Sequence, residues 1–350
     1  MQRDNLRCRV TQMTACGARA RGGVRQIIRV GVIATFVSSL SPTPRAQSLS
    51  TAPDKQRQET APPKLVRTEE VDQTFTLVGA GDIATCKNLE GAEATAKLIE
   101  QIPGTVFAAG DLAYEKGTSA EFKNCYDTTW GKFKDRTKPA LGNHEYVERT
   151  ASGYFQYWGA QAGPEGKGFY SYDLGRWHIV VLNTNCTVKA MGGCGKDSPQ
   201  ETWLRGDLAR HTDACIIAYG HHALFSSGLL KEHALHPLMR PLWQDLYAVH
   251  ADLILAGHEH SYERFAPQDP NGKPDPEHGI REIVAGTGGK SHDPLGFATP
   301  NSEVREWSTY GVLKLTLAPG KYSWEFIPVE GETFRDSGNG VCHNAASTAN

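Results

Sequence analysis

The sequence predicts an α/β fold that becomes α+β towards its C-terminus. Three observations carry that prediction. From Val71 to about residue 256, apolar runs of strand length alternate with stretches of helical spacing. After Gly279 the pattern is rich in strands and poor in helix. Polar residues gather just past the C-terminal ends of the apolar runs, the edge at which an α/β sheet binds ligands.

Phe75–Ala80 (FTLVGA) reads as the first strand, Gly91–Gln101 (GAEATAKLIEQ) as a helix and Val106–Gly110 (VFAAG) as the second strand. Trp177–Leu182 (WHIVVL), Ala214–Tyr219 (ACIIAY) and Leu253–Ala256 (LILA) are later strands, with helical segments around 200–210 and 235–248. Their near-continuous apolar character fits a sheet covered on both faces. IREIVAG, STYGVLKLTL and KYSWEFIPV follow, the last two flanking a turn at Ala318–Gly320. No repeat of fixed period is present, and one domain is expected.

The chain has 350 residues, 39% apolar and 22% charged, with 37 basic against 39 acidic side chains and a net charge of −2. That balance suits a globular enzyme and excludes the basic signature of a nucleic-acid binder. Arg21, Arg25 and Arg29 precede the apolar run Val30–Leu40, and Pro42, Pro44 and Ala46 follow it. Residues 1–46 are therefore expected to be a secretory signal cut near Ala46, with Met13 an alternative start. The run is short for a membrane span, and no Cys follows it closely to carry a lipid. Residues 47–70, rich in Pro, Gln and charge, are expected to be a disordered linker, leaving 71–350 as the folded domain. The expected location is exported, periplasmic or extracellular.

Export leaves Cys86, Cys125, Cys186, Cys194, Cys215 and Cys342, an even set that suggests disulfides. Cys186 and Cys194 flank a Gly-containing loop and form the local pair; Cys86–Cys125 and Cys215–Cys342 would complete the set, among the 15 connectivities that six cysteines allow. A zinc site is the rival, but no C-x-x-C occurs.

Five strand ends share one chemistry. FTLVGAG ends in Asp82 and VFAAG in Asp111; PALGN delivers Asn143, His144 and Glu145; ACIIAYG ends in His221 and His222; LILAG ends in His258, Glu259 and His260. Singly, each has an ordinary reading: a helix cap for Asp82, a turn for Asn143, a solvated or structural histidine for His222. Together, two carboxylates, an amide oxygen, three histidines and the phenol of Tyr114 supply O and N donors for a pair of hard or borderline cations.

In order, GDIA, GDLAY, GNHE, GHH and GHEH resemble the calcineurin-like metallophosphoesterase superfamily, most closely its purple acid phosphatase branch, from about Val71 to Pro328. The resemblance implies a four-layer sandwich of two central mixed sheets flanked by helices. Much of the superfamily opens on Asp-x-His; here Asp82-Ile83-Ala84 lacks that His, and the tyrosine of GDLAY stands where purple acid phosphatases place theirs. The family usually has Gly in the place of Ala84. By resemblance, Asp82, Tyr114 and His260 hold the first metal, Asn143, His221 and His258 the second, and Asp111 bridges the two. A phenolate is a hard donor whose proton the metal must displace, so Fe(III) is expected at the first site and Zn(II), Fe(II) or Mn(II) at the second.

The implied reaction is hydrolysis of small phosphomonoesters by in-line attack of a metal-bound hydroxide, with no protein nucleophile. His144, beside a ligand, would contact the phosphate or the leaving oxygen, with Asn143 also facing substrate. His233 and His236 lie where family members often place another substrate-facing histidine; His233 is the candidate, a surface histidine the alternative. Glu145 and Glu259 are expected to orient histidine rings. Gly286–Lys290 (GTGGK) reads as a phosphate-approaching loop or a plain tight turn. The rivals are a phosphodiesterase on the same scaffold and a catalytically silent metal-binding interaction protein. Nothing suggests a nucleic-acid partner or a stable membrane span, and the sequence carries no signal for an oligomeric state.

Overall fold

The computed structural model describes residues 73–229 and 237–344, all within one unit, Lys64–Asn350. The expected signal, the linker, His233 and His236 lie outside the described residues. The chain begins with β1 (Phe75–Ala80), β2 (Ala84–Thr85), α1 (Glu90–Gln101), β3 (Thr105–Ala109), β4 (Ala113–Tyr114), α2 (Ser119–Glu121) and β5 (Thr137–Ala140). It continues through α3 (Ser152–Trp158), β6 (Tyr170–Leu174), β7 (Trp177–Val181), α4 (Pro199–Leu208), β8 (Cys215–Tyr219), α5 (Arg240–Ala248) and β9 (Leu253–Ala256). Six further strands close it: β10 (Tyr262–Phe265), β11 (Arg281–Ala285), β12 (Ser302–Glu306), β13 (Gly311–Ala318), β14 (Lys321–Pro328) and β15 (Asp336–Val341).

Two mixed sheets result, ordered β15-β14-β13-β1-β3-β5 and β12-β10-β11-β9-β8-β7-β6. In the first, β1, β3 and β5 run parallel; in the second, β7, β8, β9 and β11 do. The period of two along each strand sets the layers. Leu77, Phe107, Ile217 and Leu255 face a core between the sheets, joined by Leu313 and Leu315. Their neighbours Val78, Val106 and Ala108 face Ala92, Ala96 and Ile99 of α1. Ile216 and Ile254 face Leu204 of α4 and Leu242 and Leu246 of α5. Helices, sheet, sheet, helices is the four-layer sandwich that the motifs imply.

Three disulfides, Cys86–Cys125, Cys186–Cys194 and Cys215–Cys342, match the expected pairs. Among the described residues, no helix is long and apolar enough to cross a membrane.

Several strands escape the hydrophobic pattern. β12 (SEVRE) and β15 (DSGNGV) lie at sheet edges, where backbone pairing to one neighbour suffices without an apolar face. In β15 a Cβ on Gly338 would stand 2.2 Å from the Trp324 ring, so the glycine lets that indole lie flat on the strand.

Glu282 of β11 is fully buried, and its carboxylate accepts the N–H groups of Leu224 (2.8 Å) and Phe225 (3.0 Å). Burial raises its pKa from 4.5 to about 8. The folded state therefore keeps a proton over a range where the unfolded chain has lost it. Stability from this group is complete below pH 4.5 and is lost as pH rises through about 8. Urea unfolding should show stability falling across this window, by at most about 1.4 kcal/mol per pH unit from one group. Glu282→Gln should flatten the profile; an unchanged profile would contradict the assignment. Asp252 and Glu145, which burial raises to about 7, and Asp245, which it raises to about 6, leave a residual slope.

Candidate metal centre

Three of the strand ends carry their polar residue on a left-handed bend. Asp82, Asp111 and His258, which follow β1, β3 and β9, have φ of 61°, 53° and 72°. A left-handed conformation at a residue other than glycine costs on the order of 1–3 kcal/mol and persists where the surroundings over-determine it. Three such residues meet in one place. A Cβ on Gly110 would stand 2.6 Å from the His221 ring, so the glycine admits that imidazole.

Two triads of donor atoms form. In one, the Tyr114 hydroxyl donates to Asp82 Oδ1 (2.8 Å) and lies 3.2 Å from His260 Nε2, itself 3.3 Å from Asp82 Oδ1. In the other, Asn143 Oδ1 lies 2.9 Å from His221 Nε2 and 3.1 Å from His258 Nδ1, and the two ring nitrogens are 3.3 Å apart. Asp111 Oδ2 sits 3.3 Å from His221 Nε2, and ligand atoms of Asp82, Asp111 and His221 group within 4.8 Å. All seven residues expected to bind metal are thus brought together. Tyr114 and His221 are buried, as are both carboxylates.

The electrostatics call for positive charge. His221 Nδ1 faces the Ala109 carbonyl at 2.9 Å, which can only accept, so Nδ1 carries a proton and Nε2 is the nitrogen left for an ion. Without an ion Nε2 is protonated as well, and faces Asn143 Oδ1 and Asp111 Oδ2, two acceptors that a cation would bind in place of that proton. Burial alone would raise the Asp111 pKa, but the His221 and His144 rings outweigh it and hold the carboxyl well below the usual range. Burial would lower His221, and the Asp111 and Asp82 charges instead hold it high. Burial, together with Asp111 and Asp82, pushes Tyr114 far above 10, so the metal-free protein holds a neutral phenol there. A donor set of this chemistry fits two cations.

His144 stands at the accessible edge, with its side chain 29% exposed. Its Nδ1–H donates to the Glu115 carbonyl (2.7 Å), its backbone N–H donates to Asp111 Oδ1 (2.9 Å), and its ring packs on Tyr114 with centroids 4.4 Å apart. Its Nε2 points towards Asp111 Oδ2, 3.8 Å away.

Glu145 departs from its expected part as a histidine orienter. Its carboxylate accepts the backbone N–H groups of Gly142 (2.7 Å), Leu112 (2.8 Å) and Asp111 (3.0 Å), tying two ligand loops together. Burial raises its pKa to about 7. The carboxylate of Glu259 lies against Gly228, which has no room for a Cβ there. Thr184, missed in the sequence, follows β7: its Oγ1 accepts the N–H of His221 (3.2 Å) and His222 (2.9 Å) and pairs with His222 Nδ1 (2.9 Å). The strand-end rule would have found it, because LNTN follows WHIVV as GHH follows CIIAY. His222 also lies within metal-ligand range of His221 and His258.

GTGGK spends three of its backbone donors, those of Gly286, Gly288 and Lys290, inside the protein. Gly288 N–H bonds to Gly81 O (2.9 Å) and Lys290 N–H to Asp82 O (3.0 Å), so the loop buttresses the Asp82 bend. Outside this centre, the group Asp173, His178 and His211 has His178 already held between Asp173 (2.7 Å) and Asp207 (3.0 Å).

The model of the family described as calcineurin-like phosphoesterase matches residues 75–262, more than half of the chain. The chain belongs to that family. Among curated relatives, Purple acid phosphatase 22 of Arabidopsis thaliana is 27% identical over 164 residues, 45% of this chain and 36% of its own length. Probable inactive purple acid phosphatase 1 of the same plant is 26% identical over 268 residues, 63% of this chain and 41% of its own. The chain therefore spans less than half the length of these two calcineurin-like phosphoesterase relatives. Their names bear out the resemblance to the purple acid phosphatase branch. A solved structure, purple acid phosphatase PPD1 from yellow lupin (Lupinus luteus) seeds, superposes with a TM-score of 0.59 at 20% identity, covering 77% of this chain and 54% of that one. It shares the fold.

Proposed function

We propose that this calcineurin-like phosphoesterase is an exported, metal-dependent hydrolase of small phosphomonoesters, of purple acid phosphatase type. One observation carries the reading: two donor triads meet at Asp111, with His144 at the accessible edge beside it. Asp82, Tyr114 and His260 would hold one ion, Asn143, His221 and His258 the other, and Asp111 both. Bound there, two cations neutralise phosphoryl charge and make a water acidic enough to act as nucleophile near neutral pH. The phenol favours Fe(III) in the first position, and the neutral donors suit Zn(II), Fe(II) or Mn(II) in the second. Glu145 keeps the Asp111 and Asn143 loops in register, and His144 Nε2 would deliver a proton to the departing oxygen. The N-terminal signal pattern and the three disulfides support export.

Purified, metal-analysed protein assayed on nitrophenyl phosphate and on bis-nitrophenyl phosphate tests this reading. Faster turnover of the monoester is expected. Preference for the diester would make the chain a phosphodiesterase, and no turnover of either with metals present would make it a silent binding protein.

Tyr114 yields a colour prediction. A phenolate on Fe(III) gives a visible charge-transfer band, and Tyr114→Phe should abolish it in a folded protein. An unchanged band in the mutant would place the iron on another residue.

A further inference from the structure

We propose that Ser291 and Asp293 are positioning residues that set the tautomer of His260 and strengthen it as a donor to one ion of the centre; the inference rests on the metal centre proposed above. His260 Nδ1 lies 2.7 Å from Ser291 Oγ and 3.3 Å from Asp293 Oδ2. The same stretch is tied down twice more: Asp293 N–H donates to the His260 carbonyl (3.2 Å), and Lys290 N–H donates to the Asp82 carbonyl (3.0 Å). One short segment therefore grips two members of the triad that contains Tyr114.

The Asp293 carboxylate, 3.3 Å from Nδ1, favours by its charge the tautomer with the proton on that nitrogen, whose hydrogen bond goes to Ser291 Oγ. Ser291 completes the contact from its hydroxyl. Nε2, 3.3 Å from Asp82 Oδ1 and 3.2 Å from the Tyr114 hydroxyl, is then the nitrogen left to bind an ion. His221 differs. Its Nδ1 partner is a neutral carbonyl, that of Ala109. An anionic partner on Nδ1 makes the imidazole more basic at Nε2, which suits the more highly charged of two cations. Asp293 thus biases the Tyr114 side of the centre towards a trivalent ion. His260 and Asp293 are 13% and 29% exposed in their side chains, so the pair is partly shielded from water and the charge effect is only partly screened.

The test is metal retention of the purified full chain against a competing chelator, with both metal equivalents followed separately, in wild type, Ser291→Ala, Asp293→Asn, Asp293→Glu and the double variant Ser291→Ala/Asp293→Asn. Loss of such a partner typically costs 10–100-fold in metal affinity. The double variant should lose one equivalent at about 10–100-fold lower chelator concentration while the second equivalent stays as in wild type. Asp293→Glu should recover part of the loss, which a purely structural contact would not show. If the double variant does not fold by circular dichroism, the single variants decide, and each should weaken the same one equivalent. Retention equal to wild type for both equivalents overturns the proposal while leaving the centre intact. Equal weakening of both equivalents also overturns it. A wild type that binds no metal overturns the centre itself, and this proposal with it.

Discussion

Asp111→Asn should lower phosphomonoester turnover by about 10³-fold or more and leave the chain with fewer than two metals. The side chain keeps its shape, and the amide oxygen can still accept the His144 N–H that Asp111 Oδ1 now accepts at 2.9 Å. What goes is the charge on Oδ2, which lies 3.3 Å from His221 Nε2 and is the one anionic donor placed to serve both triads. The metal-free fold should lose stability: the His221 and His144 rings hold the buried Asp111 carboxyl well below the usual range, so its charge is favourable there and Asn removes it. Thermal unfolding of metal-free wild type and mutant should therefore give a folded but less stable mutant, beside kinetics that show it nearly dead. A mutant that keeps both metals and more than a tenth of wild-type kcat would remove Asp111 from the bridging position.

His144→Ala separates proton transfer from metal binding. The ring is held by the Glu115 carbonyl and by its packing on Tyr114, and it belongs to neither donor triad. Both metals should stay. General acid assistance is typically worth about 10²–10⁴-fold, and it matters most when the departing oxygen is strongly basic. An alkyl phosphate should slow by that factor, and nitrophenyl phosphate by much less, because nitrophenolate leaves without a proton. Measuring kcat/KM for both esters, with metal content on the same samples, reads the difference directly. Equal slowing of the two would make His144 a phosphate-positioning residue, and loss of a metal would make it a ligand.

The layers were legible because inward and outward residues alternate so cleanly. FTLVGA and LILA coincide with β1 and β9 residue for residue, since a strand covered on both faces must be apolar throughout. β15 was invisible for the opposite reason: DSGNGV contains a single apolar side chain, and what places it is the flat surface its glycines offer to Trp324 and Tyr322. In the centre, the strand-end rule brought out Asp82, Asp111, Asn143, His221, His258 and His260. It applied equally to Thr184, where a hydroxyl between two asparagines looked like an ordinary loop. Glu145 sits inside the motif, but spacing alone does not reveal that its carboxylate accepts four backbone N–H groups instead of turning to a ring. Ser291 and Asp293 come from a loop more than thirty residues beyond His260, and only the folded chain brings them beside it.

The central claim is that two triads meeting at Asp111 hold two cations that work together on a phosphate ester. Elemental analysis of a preparation whose phosphomonoesterase activity is measured on the same sample tests it most directly. Two metal ions per chain are predicted, at least one of them iron, with activity rising in proportion to the doubly loaded fraction. Full activity at one metal per chain, or with none, would contradict the account.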